Sequence, residues 1–192
     1  MAESEWHWTT ASNFRQFVVR DINANPRDPK MQLTLVLFRL CQLAMGDRWR
    51  PRKASLPLVL LYRIWSELVV GLELRPKTLV GPGLTIFHGF GLVINDHCSI
   101  GSDVTLRNGV TIGSRRDGGP VPRLGNNVSV GCGAIVLGDI ELDDNSKVGA
   151  GSVVLVSVPR DSTVFGNPAV VRGKSDSSVP PDGASVSGWA EE

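Results

Sequence analysis

The sequence predicts a mainly β protein: a parallel β-helix of six-residue repeats with a short α-helical part at its N-terminal end. Two observations carry this reading. From Val80 to Val158 an aliphatic residue opens successive sixes, at Val80, Ile86, Ile100, Leu106, Ile112, Leu124, Val130, Val136, Leu142, Val148 and Val154. A small or β-branched residue stands four places after many openers, at Val104, Val110, Val128, Ala134, Ser146 and Ser152. A period of six is neither helical nor simply alternating. It fits a chain in which three sixes make one triangular coil and every opener points inward, stacking on its counterparts above and below. A single coil cannot bury its apolar face, so several must stack. The glycines suit the corners, where the backbone turns sharply. A generic Val/Gly-rich sandwich would not hold this phase.

Ahead of the repeats, the polar stretch 1–30 predicts a short helix around Ala11 to Ile22, ended by NANPRDPK, whose prolines, Asn and Asp mark a break. Met31 to Met45 predicts a second helix, with Leu33, Leu37, Leu40 and Ala44 on one apolar face and Gly46 as its stop. A basic linker, GDRWRPRKAS, follows. A third helix runs from Leu56 or Pro57 to about Val70, with Ser55 as cap, Pro57 in the first turn and Gly71 as terminator. These last two helices are expected to pair and cover the open N-terminal end of the β-helix, because a coil end is an exposed sheet edge. Trp49, Tyr62 and Trp65 beside Arg and Lys offer a second use, contact with a membrane surface. The alternative is packing on each other or on a neighbouring subunit. The segment Gly113 to Arg123, GSRRDGGPVPR, breaks phase and must loop out; insertions on one face of a solenoid usually belong to its binding surface. Asp161 to Gly173 closes the structure. The organisation read from sequence is therefore a helical part over 1–71, the β-helix over 72–173 with its loop at 113–123, and a disordered tail over 174–192.

Composition narrows the function. Among 192 residues the formal net charge is +1, which implies no polyanionic partner and no nucleic acid. Three cysteines (Cys41, Cys98, Cys132), odd in number and without metal-type spacing, suit a reducing, cytoplasmic setting. The acidic start MAESEWHW is no signal peptide. The apolar run Leu56 to Leu74 is interrupted by Arg63, Glu67 and Glu73, which makes a poor membrane span.

Of three histidines, His7 lies in the polar leader and His97 at a corner just before Ile100. His88 sits in FHGFG, where the repeat phase slips by two residues. It occupies an irregularity in a regular scaffold, flanked by Gly89 and Gly91, and a rigid coil is a good mount for a base.

At this point TIFHGFGLVIND resembles the active-site segment of serine acetyltransferases and their relatives among the hexapeptide-repeat acyltransferases. The resemblance runs from about Pro57 to Gly173 and includes PLVLLYRI, GVTIG, VGAGSVVL and FGNPAVVRG. It is nearest to the branch containing colanic-acid and other polysaccharide-biosynthesis acetyltransferases. The resemblance implies a left-handed helix, a homotrimer, and acetyl transfer from acetyl-CoA to a hydroxyl with no metal. It implies His88 as general base, and it points to Glu73, fifteen residues upstream, as the carboxylate that orients it. Gly113, Ser114, Gly133, Ala134 and Ser152 would line the acetyl-CoA groove, with Arg172 near the nucleotide; equally, the small residues could simply form corners. Arg115 and Arg116 would meet phosphates or solvate the loop. Two departures argue against L-serine. Phe87 replaces the Asp that precedes the base in serine acetyltransferases, and Pro120-Val121 replaces an Arg-His pair. Phe87 and Phe90 instead suit a sugar or glycan acceptor. The rivals are a serine O-acetyltransferase with altered loop chemistry and a non-catalytic β-helix scaffold. A metal-dependent carbonic anhydrase on the same coil would need three histidine ligands, and the coils hold only His88 and His97.

Overall fold

Each six-residue repeat lays one short strand along one side of a triangular coil. The computed structural model describes residues 8–46 and 52–172. Its strands stack into three sheets. The first holds β1 (Leu72–Leu74), β4 (Leu92–Ile94), β7 (Thr111–Gly113), β10 (Ile135–Leu137) and β13 (Val153–Val154) in that spatial order. The second holds β2 (Leu79–Val80), β5 (Ser99–Ile100), β8 (Arg123–Leu124) and β11 (Glu141–Leu142). The third holds β3 (Thr85–Phe87), β6 (Thr105–Arg107), β9 (Ser129–Val130), β12 (Lys147–Val148) and β14 (Thr163–Gly166), with β15 (Ala169–Arg172) folded back on β14. All neighbours are parallel except that last pair. Register matches the repeat: Val80 pairs with Ile100, Ile100 with Leu124, and Ile112 with Val136. Every predicted opener is buried, and so is every small residue four places on.

The first coil is the edge strand of all three sheets, and its polar groups need partners from elsewhere. The helices supply them. α1 (Phe14–Ala24) and α2 (Pro29–Met45) lie across this end. The Arg39 guanidinium, fully buried, donates to Val80 O at 2.7 Å and Gly81 O at 2.8 Å, and its Nε pairs with Asp21 Oδ2 at 2.8 Å. The other Asp21 oxygen accepts from the Gly83 and Leu84 amides. Gln42 donates to Pro76 O and Thr78 O. Asn25 donates to Leu84 O and accepts from the Ile86 amide. Tyr62, on α3 (Leu56–Arg63), donates to Leu74 O at 2.7 Å. Five side chains thus stand where a further coil would otherwise pair. Helices and coils share one apolar core, which includes Met31, Leu35, Phe38 and Tyr62 from the helices.

Several expectations change. The first helix starts and ends two or three residues later than 11–22. The buried face of α2 is not Leu33, Leu37, Leu40 and Ala44: Leu33 is 46% exposed, and Met31, Leu35, Phe38, Arg39, Gln42 and Met45 turn inward. The reason is the sheet edge, which demands hydrogen-bonding groups and so puts Arg39 and Gln42 on the inner face. Ser55 makes no side-chain cap; its hydroxyl donates to Arg52 O. α3 continues as a π-helical stretch (Ile64–Val70), and Gly71, in the left-handed region at φ 75°, ends it as expected. Tyr62 and Trp65 do not face outward. Tyr62 is fully buried, and the Trp65 indole donates to Thr34 Oγ1 on α2. Trp49 and the tail from 173 onward lie outside the described residues.

Two variants test this edge account. Arg39→Met is expected to cost about 3–5 kcal/mol, because it strands the buried Asp21 carboxylate and frees two carbonyls; chemical denaturation followed by circular dichroism measures it. Asn25→Ala is expected to cost about 1–3 kcal/mol and to accelerate hydrogen exchange at the Ile86 amide while amides of the distal coils keep their protection.

Candidate active site

One corner of the triangle departs from the regular path. Between the third sheet and the first, six residues lead from Thr105 to Thr111, and six from Ser129 to Ile135. In the first coil eight lead from Thr85 to Val93, although both ends keep register with Thr105 and Thr111. The two extra residues are absorbed between Phe87 and Gly91. Gly91, Gly109 and Gly133 stack in line at positive φ; the Gly109 and Gly133 amides donate to the coil before, and the Gly91 amide donates to Gly71 O at the helix end.

His88 lies in this enlarged corner, exposed, at φ 54°. Among the described residues every other non-glycine residue at positive φ is Asn or Asp. Like Asn and Asp, His enters the left-handed region more readily than most residues, though at a cost glycine does not meet. Gly89 explains how the corner is held. A Cβ there would come within 2.8 Å of the Met31 methyl and 3.3 Å of Ile86, so the backbone is pressed against α2. The Phe90 ring lies over Gly71, although Phe90 remains 78% exposed.

Beside His88 opens a cleft of about 620 Å³. One wall is Ile86, Phe87 and His88; the other is the turn between α1 and α2, Asn23 to Asp28. Asn25 fixes this wall through its bonds to Leu84 O and the Ile86 amide, so the edge cap also shapes the cleft. Asp28 caps α2 by accepting from the Met31 amide at 2.9 Å. Phe87 is 48% exposed at the rim, and the Arg107 guanidinium stacks on its ring at 5.2 Å. The cleft thus presents an imidazole, an aromatic ring and one side chain of each charge sign, Arg27 and Asp28.

The other predicted residues are distributed as follows. Glu73 sits in the middle of β1, opposite Val93. Its carboxylate pairs with Arg75 at 3.0 Å, and no hydrogen bond joins it to His88 among the described residues. Gly133 is exposed on the same stacked corner as His88. The side chains of Ala134 and Ser152 are fully buried inside the coils, and the Ser152 hydroxyl accepts from the Gly166 amide. These two can offer a ligand only backbone. Gly113 and Ser114 lie at the opposite margin of the first sheet, where the 113–123 loop departs. That loop does leave the coil, but Arg115 folds back along the corners, donating to Leu137 O and Leu155 O, so it braces the loop. Arg172 is exposed and stacks on Phe165. His97 lies exposed in the turn after β4, beside Asp96. Sequence reasoning missed the 23–28 wall: its Pro26, Asn and Asp signal a turn, and nothing in them tells where the turn docks.

Comparison with known proteins agrees with this fold. Residues 122–155 match the family model for the bacterial transferase hexapeptide (six repeats). The chain is 38% identical over 161 residues to WcaB of Escherichia coli K12, provisionally described as a colanic acid biosynthesis acetyltransferase; the match covers 81% of this chain and 98% of that protein. It is 45% identical over 105 residues to the serine acetyltransferase of Staphylococcus aureus Mu50, covering 54% of this chain and 49% of that one. Among solved structures, the serine acetyltransferase of Brucella abortus in complex with coenzyme A superposes with a TM-score of 0.71 at 28% identity, over 85% of this chain and 69% of that one. A relative matched over nearly its whole length, together with a stack of parallel coils built on the same six-residue repeat, places this chain in the hexapeptide-repeat family of acetyltransferases, enzymes that transfer acyl groups.

Proposed function

We propose that this protein transfers acetyl from acetyl-CoA to a hydroxyl of a sugar or polysaccharide precursor, directly and with His88 as general base. In this reading the acceptor lies in the cleft between Phe87 and the 23–28 turn. A ring nitrogen of His88 takes the hydroxyl proton as the oxygen attacks the thioester carbonyl. The tetrahedral intermediate collapses, expelling the CoA thiolate, which recovers that proton from the imidazolium. Imidazole suits both steps because it exchanges protons near neutral pH. Glu73 is proposed as the positioning carboxylate. It stands two residues after Gly71, whose carbonyl accepts from the Gly91 amide in the His88 corner. To act, it would exchange Arg75 for the imidazole.

We further propose a cytoplasmic homotrimer in which acetyl-CoA lies between neighbouring subunits. The acetyl-CoA assignment is supported by the coenzyme A complex of the Brucella relative. The trimer is supported by the split of candidate groups between two corners of the coil. Gly133 stands with His88, while Gly113 and Ser114 stand across the sheet, so a groove between two subunits would draw one wall from each corner.

The observation that carries the sugar reading is Phe87. Directly before His88, half exposed and backed by Arg107, it offers a flat apolar platform where an amino acid would want a charge. The near-full-length match to WcaB supports it. A second reading, serine O-acetylation, is favoured by Arg27 and Asp28 in the same cleft, one partner for each charged end of an amino acid, and by the Staphylococcus match.

The deciding experiment measures thiol release from acetyl-CoA with L-serine and with a panel of sugars, nucleotide sugars and oligosaccharides. The expected result is release with a sugar acceptor, lowered about 10²- to 10⁴-fold in His88→Ala. Release with L-serine alone would establish the second reading. Because His88 is exposed at positive φ, His88→Gly should lose activity with its melting temperature kept or raised, which separates lost chemistry from lost fold.

A further inference from the structure

We infer that the outer face of α3 and its π-helical continuation rests on an anionic membrane surface. Residues 56–70 are apolar on both sides. Tyr62, Ser66 and Val70 face inward and are buried. On the outside Leu56, Leu60, Ile64 and Leu68 form a ridge at four-residue spacing, widened by Leu61 and Val69, and Leu68 is 79% exposed. The charged side chains of this segment, Arg63 and Glu67, pair with each other on the flank at 2.9 Å. A contiguous exposed apolar ridge marks an interaction surface.

The charges around the ridge select the occupant. Arg52 and Lys53 stand exposed at its N-terminal end. Along one edge Arg63, Arg75 and Lys77 line a cavity of about 310 Å³ with Leu56, Val59 and Asp96. Arg63 and Arg75 are neutralised in place by Glu67 and Glu73, and Asp96 lies beside His97, so Arg52, Lys53 and Lys77 carry the excess positive charge of this rim among the described residues. An isologous contact with a second copy would set these same cations against each other, and like charges brought together oppose association. Lipid phosphates supply the missing charge, and acyl chains accept the leucines. Among the described residues no helix is long and apolar enough to cross a membrane, so the segment lies on the surface. This inference does not rest on which acceptor His88 serves.

The test is co-sedimentation of the full-length protein with phosphatidylcholine vesicles, with and without phosphatidylglycerol. Binding is expected to the anionic vesicles and to fall as salt rises. The double variant Leu60→Ser/Leu68→Ser should abolish it. Arg52→Gln and Lys53→Gln should each weaken it about fivefold. Far-ultraviolet circular dichroism and thiol release with a soluble acceptor should be unchanged in all three. Failure to bind anionic vesicles, or binding that survives the serine variant, overturns the inference. So does a wild-type molecular mass, measured by light scattering, that falls in the serine variant without vesicle binding, because a second copy would then cover the ridge.

Discussion

The unpaired edge of the first coil governs this structure. A β-helix must begin somewhere, and its first turn exposes backbone groups on all three sides. Here the solution is made of side chains: Arg39 on two carbonyls, Asp21 on two amides, Gln42 on two more carbonyls, Asn25 on one of each, and Tyr62 on one. The buried Arg39–Asp21 pair is tolerable because both partners also satisfy the sheet. The same contacts hold the turn between the first two helices against the strand before His88. Capping the edge and building the cleft are one act.

The coil contributes regularity, and the candidate site is where regularity stops. Strands on either side of the His88 corner keep register with the next coil, so the two additional residues are expelled outward. Gly89 lets them press on Met31 without a clash, and His88 takes up the unfavourable backbone angle. The 113–123 loop is a second departure, on another corner, and Arg115 ties it down along the coils that follow. Both departures therefore sit on a scaffold that does not bend to accommodate them, which is what precise placement of a reacting group requires.

How much of this the sequence disclosed depended on which physical rule each residue obeys. The openers were legible because a six-residue period has one simple structural meaning, and Val80 through Val154 all point inward. The irregular corner at His88 was legible because a phase slip in a strict repeat is itself a signal. The inner face of α2 was not: a search for an apolar stripe chose Leu33 and passed over Arg39 and Gln42, whose burial makes sense only beside an open sheet edge. Ala134 and Ser152 looked like groove residues by position, yet the packing period had already assigned them to the interior. Glu73 was proposed from the resemblance, which says nothing of its present partner, Arg75. The 23–28 wall was hidden for a different reason, since turn chemistry specifies local conformation and carries no address.

The His88 corner has an evolutionary consequence. It hangs outside the ladder of strand pairs, so the bonds that hold the coils together do not pass through its side chain. With His88 as the proposed base, drift at this corner would erase or retarget the chemistry while the folded shape persists. On that reading, an acetyltransferase of this design is one substitution away from a stable, inert scaffold, and a lineage could cross between the two without passing through an unfolded ancestor.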